Sequence, residues 1–246
     1  MHHLFVASIA ARVIRLKCIW LVGGALIVNG MIAAAASADE TVSIGSSRAV
    51  LLGPKSPRAS IILIPGGNGV INPGPDGTIH GLNGNQLVRT RHAYATRGNA
   101  VLVVDAGANL AEAVDYMARI KRPVTVVATS RGTIRAAEGI AQGARPDALV
   151  LTSGFLTTES GSPTNVVAIL GSPSKLPRTL VIHHRDDSCK FTLPAGVAPF
   201  VQWAGGRARV AWLSGGSSSG NPCEAQAHHG FNGQDGSVVS LAAGFH

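Results

Sequence analysis

Val126-Val127-Ala128-Thr129-Ser130-Arg131-Gly132 is the stretch from which the fold of this chain can be read. A β-branched apolar run stops at a short polar segment, and a helical pattern begins at once, with Ile134, Ala137, Ile140 and Ala141 spaced for one face. A strand that enters a helix through small-x-Ser-x-Gly must turn sharply, so the positions two before and two after the serine need small side chains. Ala128 and Gly132 fill them. The turn exposes the Ser130 hydroxyl and turns the amide N–H of Arg131 to the same side. The plainer alternative is Ser130 as a helix N-cap.

Outward from this turn the same rhythm repeats. Ser60 to Ile64, Val101 to Val104, Val124 to Val127, Ala148 to Leu151, Leu180 to Ile182 and Arg209 to Leu213 read as strands, and unbroken apolar runs of this kind suit parallel strands buried on both faces. Thr41 to Ile44 and Arg48 to Leu52 read as a leading hairpin. Leu110, Ala113, Val114, Met117 and Ile120 mark a crossover helix. Strand–helix alternation predicts a doubly wound, mostly parallel α/β sheet with ligands at the carboxyl ends of its strands. The longest irregular stretch, Gly66 to about Gly81, is rich in Gly, Pro and Asn, as functional loops often are. The segment between Gly154 and Pro177 is too short for more than a minimal lid, so an open site is expected.

Composition narrows the class. Of 246 residues 46% are hydrophobic and 14% charged, which excludes disorder, and the 30 glycines and 13 prolines follow no period, which excludes collagen and solenoids. The net charge of +8 is spread singly or in pairs, so no nucleic-acid stripe is visible. Aromatic residues, at 4%, are too few to suggest an extended stacking groove.

Residues 1–38 read as a secretory signal peptide, with Arg12, Arg15 and Lys17, an apolar run from Cys18 to Ile32, and Ala36-Ser37-Ala38 before Asp39. An uncleaved anchor is the alternative, but Gly23, Gly24 and Asn29 interrupt a run shorter than the ~20 apolar residues of a span. Cleavage after Ala38 is expected to leave one domain, 39–246, with a net charge of +5, in the periplasm or outside the cell and with no stable membrane insertion. It also leaves Cys189 and Cys223, an even pair pointing to one disulfide.

Downstream of Ser130, Asp186-Asp187 follows the run Leu180 to His184, and His228-His229 precedes the last helix. The order Ser, acid, His with each member past a strand resembles the α/β-hydrolase superfamily over nearly the whole length after residue 38. The phrases Pro65 to Gly69 (Pro-Gly-Gly-Asn-Gly), Thr129 to Thr133 (Thr-Ser-Arg-Gly-Thr), His183 to Cys189 (His-His-Arg-Asp-Asp-x-Cys) and His229 to Phe231 (His-Gly-Phe) resemble, more narrowly, small exported bacterial α/β-hydrolases of unsettled substrate.

The resemblance implies an α/β-hydrolase-type sheet with minimal or no lid. It implies Ser130 as nucleophile, His229 as base, Asp187 as acid with Asp186 as the alternative, and an oxyanion hole from Arg131 with Gly67 or Asn68. A Cys189–Cys223 bridge would tie the acid loop to the histidine loop. No cofactor is expected, because the loop at Gly67 lacks G-x-G-x-x-G spacing. No metal is expected either, because His183 and His184, adjacent on a strand, point to opposite faces and chelate one ion with Asp186 poorly. The side chain of Arg131 is open to two readings, contact with an anionic substrate or a structural ion pair. The expected activity is that of an exported serine hydrolase cleaving a small-molecule ester, lactone or thioester. The alternatives are an amidase or peptidase and a non-catalytic binding protein of the same fold.

Overall fold

A computed structural model describes residues 36–246; most of the expected signal segment lies outside the described residues. Eight strands, β1 (Ala36–Ile44), β2 (Ser47–Pro54), β3 (Ala59–Ile64), β4 (Asn99–Val104), β5 (Val124–Thr129), β6 (Ala148–Thr152), β7 (Arg178–His184) and β8 (Ala208–Leu213), form one sheet in the order β1-β2-β4-β3-β5-β6-β7-β8. β3 to β8 are parallel, while β1 and β2 are an antiparallel hairpin whose second strand pairs β4. The expected mostly parallel sheet is present.

Period-two alternation splits each inner strand between two cores. Ile62, Leu102, Val126, Leu149 and Val181 pack on one face with the helices α3 (Leu110–Ile120), α4 (Gly132–Ala141), α5 (Val166–Leu170) and α6 (Val197–Trp203). Ile61, Leu63, Val101, Val127 and Val150 pack on the other with α1 (Gln86–Arg89), α2 (Arg91–Ala95) and α7 (Asp235–Ala243). α3 follows its sequence pattern: Asn109 caps it by accepting from the Ala111 and Glu112 amides, and Leu110, Ala113, Val114 and Met117 are buried.

Three sequence expectations need correction. In α4 the buried face is Gly132, Thr133, Ala136, Ala137, Gly139 and Ile140, whereas Ile134 is half-buried and Ala141 exposed. The turn sets the helix phase: a Cβ on Gly132 would lie 2.4 Å from the carbonyl oxygen of Ile64, so this position and those at i+4, i+7 and i+8 from it face the sheet. β8 is not buried on both faces; it is a half-exposed edge strand paired only with β7. The irregular stretch runs on past Gly81 to Asn85, relieved by one antiparallel bridge between Pro73 and Ile79.

No lid domain is inserted between β6 and β7. That segment holds only α5 and single turns at Thr158–Ser160 and Pro173–Lys175.

Candidate active site

β5 ends at Thr129 and α4 begins at Gly132, so the chain reverses direction through Ser130 and Arg131. Ser130 takes φ +53°, a left-handed conformation that costs a non-glycine residue about 1–3 kcal/mol. Its amide donates to the Thr152 carbonyl at 2.9 Å, and its carbonyl accepts from the Thr133 amide at 2.9 Å and the Thr133 hydroxyl at 2.7 Å. These bonds hold the turn and leave the Ser130 side chain facing a cavity of about 550 Å³.

His229 sits in the loop between β8 and α7, 5% exposed, its backbone carbonyl held by the Ser153 hydroxyl at 2.8 Å. Its Nε2 is 3.0 Å from Ser130 Oγ, and its Nδ1 is 3.1 Å from Asp187 Oδ2. Asp187, 2% exposed just beyond β7, also accepts from the Cys189 amide (2.9 Å) and the Thr192 hydroxyl (3.0 Å). Thr192 Oγ1 is 2.9 Å from His229 Nδ1 as well. Because the Thr192 proton is given to Asp187, this hydroxyl can only accept from Nδ1–H. The imidazole therefore carries its proton on Nδ1, and Nε2 is free to accept from the Ser130 hydroxyl.

Asp186 has a different environment. Its side chain is 65% exposed, and its carboxylate approaches His184 Nδ1 only to 4.0 Å. Of the two neighbouring aspartates, Asp187 alone is brought to His229.

The loop after β3 approaches the serine closely: a Cβ on Gly66 would stand 2.9 Å from Ser130 Cβ. Gly67, Asn68 and Arg131 line the cavity beside Ser130, and none of their three amide N–H groups donates to a protein acceptor among the described residues. The Arg131 side chain is exposed and forms no ion pair among the described residues. Phe155 and Phe191 stack at 6.0 Å on one wall, and Glu224 lines another. The Cys189–Cys223 disulfide joins the Asp187 loop to the segment leading to His229, and both sulfur residues line the cavity.

Thr192, Ser153 and the roles of the paired histidines carry no signal in the sequence. His183 and His184 point to opposite sides of β7. His183 Nε2–H donates to the Thr192 carbonyl at 2.9 Å and its ring meets Trp212 edge-on, which fixes the residue that bridges Asp187 and His229. His184 stacks on His228 at 4.2 Å.

A grouping of His184, Asp186 and His228 places donor atoms within 4.8 Å of one another. Its chemistry does not suit an ion. His184 Nε2–H already donates to the Gly215 carbonyl and Nδ1 accepts from the Asp186 amide, so neither ring nitrogen of His184 has a lone pair left for an ion.

Among solved structures, a cold-adapted esterase from an Arctic intertidal metagenomic library superposes with a TM-score of 0.55 at 14% identity, over 83% of this chain and 92% of its own. A dienelactone hydrolase from Anabaena variabilis gives 0.55 at 15% identity over 85% and 95%. An alpha-beta serine hydrolase homologue from Coxiella burnetii gives 0.55 at 13% over 83% and 95%. The chain has the α/β-hydrolase fold. No protein-family model and no curated protein matches its sequence, so this likeness is one of architecture. In the α/β-hydrolase fold, the carboxyl ends of the parallel strands are where ligands bind. Here Ser130, Asp187, His229 and the Gly66–Asn68 loop all lie at that edge.

Proposed function

We propose that the protein is an exported serine hydrolase that cleaves a small carboxylic ester, lactone or thioester through an acyl-enzyme on Ser130. The observation that carries this reading is the continuous chain Ser130 Oγ, His229 Nε2, His229 Nδ1, Asp187 Oδ2, with links of 3.0 and 3.1 Å, opening on a cavity beside three unengaged amides. Esterases and a dienelactone hydrolase among the proteins of similar fold agree with it. The signal-like residues 1–38 and the disulfide support export.

His229 accepts the Ser130 proton as Oγ attacks the acyl carbon, and the buried Asp187 carboxylate stabilises the resulting imidazolium. The N–H of Arg131, with that of Gly67 or Asn68, receives the developing oxyanion. Collapse of the tetrahedral adduct expels the alcohol or thiol, which takes the proton from Nε2. A water activated by the same nitrogen then releases the acid. Phe155 and Phe191 supply apolar contact for the acyl or leaving group beside the reacting centre.

A fluorophosphonate probe followed by mass spectrometry tests this. Labelling at Ser130 that disappears in Ser130→Ala and His229→Ala is the expected result. A folded chain that stays unlabelled overturns the reading.

A further inference from the structure

Arg135 stands at the end of the first turn of α4 and does not line the cavity. Its guanidinium reaches back to the loop after β3. Nη2 donates to the carbonyl oxygens of Pro65 and of Gly66 (3.4 Å), and Nη1 donates to that of Gly67 (3.3 Å). The Gly66 oxygen also accepts from the Gly69 amide at 3.1 Å. No carboxylate pairs with this guanidinium within 4.0 Å among the described residues, so its partners are peptide oxygens. Gly69 makes the seat possible: it adopts φ +79°, and a Cβ there would lie 2.8 Å from Arg135 Cζ.

A trans peptide unit carries its C=O and the following N–H in opposite directions. Drawing the Gly66 and Gly67 carbonyls toward Arg135 therefore turns the N–H groups of Gly67 and Asn68 away from it, and both residues line the cavity beside Ser130. We propose that Arg135 is the positioning residue of the oxyanion loop: its planar fork, held on consecutive carbonyls, aims the Gly67 and Asn68 amides at the substrate oxygen. This rests on the serine-hydrolase reading and adds to it a residue outside the triad. The guanidinium, behind the loop, also places a fixed positive charge on the side from which the oxyanion is stabilised. Arginine suits the task better than lysine, because its donors are spread in a rigid plane and its charge persists at every working pH.

The test compares the wild type with Arg135→Met and Arg135→Lys, using p-nitrophenyl butyrate turnover, the rate of fluorophosphonate labelling, and affinity for a trifluoromethyl ketone that forms a tetrahedral adduct. For Arg135→Met the expected result is a kcat about 10²-fold lower with KM nearly unchanged, and a parallel loss in labelling rate and ketone affinity. Arg135→Lys, keeping the charge but not the fork, falls between. Should circular dichroism show Arg135→Met unfolded, Arg135→Lys decides by the same kcat and ketone readouts. Folded variants that keep wild-type kcat and ketone affinity, or lose only substrate affinity, overturn the inference while leaving the triad reading intact. A wild type unlabelled at Ser130 removes the underlying reading instead.

Discussion

Asp186 and Asp187 differ by one position and by nearly everything else. Asp187 is buried with donors from Cys189, Thr192 and His229, while Asp186 meets solvent. A carboxylate that must stabilise an imidazolium needs burial and fixed partners. Asp187→Asn should therefore lower kcat by about 10⁴-fold, the size of effect seen when a triad acid is neutralised, whereas Asp186→Asn should leave turnover close to wild type. Steady-state kinetics on the pair of variants checks this.

Thr192 is the subtler case. Removing its hydroxyl takes a donor from Asp187 and an acceptor from His229 Nδ1–H, a loss of about 1–3 kcal/mol at a buried site; carried into the barrier, that lowers kcat roughly 5- to 150-fold for Thr192→Val. Thr192→Ser retains the hydroxyl and should recover most of the rate. Adjacent aspartates could not be ranked from sequence because either can end a strand. Thr192 could not be found there at all, because its role comes from a loop that doubles back between Asp187 and α6.

At the scale of elements, the Cys189–Cys223 bridge closes 34 residues of chain and spans β8 and the segments on either side of it. Loop closure of that length contributes about 3–4 kcal/mol in the chain-entropy account. Reduction, or Cys189→Ser with Cys223→Ser, should lower the thermal midpoint by roughly 10 °C, by a conversion of about 2–4 °C per kcal/mol for a domain this size. Activity at moderate temperature should also fall, because Asp187 and His229 lose the tie between their loops. Differential scanning calorimetry with and without reductant reads the first effect and turnover the second.

The elements themselves were legible where one physical pattern governed them. The inner strands show as unbroken apolar runs, and α3 shows its face because Asn109 and an ordinary helical stripe define it. The phase of α4 departs from its apolar spacing because the contact of Gly132 with the Ile64 carbonyl, not the spacing of Ile134 and Ala141, orients that helix. Arg135 stayed hidden for a related reason: its partners lie 68 to 70 residues earlier, and no local pattern encodes such a reach.

The whole molecule should be acid-sensitive, and His183 is the reason that can be tested. Its ring is fully buried beside Trp212, 3.7 Å from Asp187 and hydrogen-bonded to the Thr192 carbonyl. Burial pushes its pKa down from 6.5 to about 4, outweighing the attraction of Asp187, which acts to raise it. A folded-state pKa below the unfolded one means that the unfolded chain takes up the proton first as pH falls. The stability is fully present above about 6.5 and is lost progressively between 6.5 and about 4, amounting to ~3 kcal/mol over the window. The positive surplus of the chain works in the same direction, because protonated carboxylates and histidines add to self-repulsion. Urea unfolding at pH 7 and pH 4 separates the contributions. In His183→Gln, which keeps an N–H for the Thr192 carbonyl but takes up no proton, the free energy of unfolding should fall less steeply with pH, by about 1.4 kcal/mol per pH unit within the window. An equal slope in wild type and variant would assign the acid sensitivity to the net charge alone. A shallower slope in the variant would trace it to one imidazole, which burial keeps neutral while its N–H anchors the loop carrying Thr192.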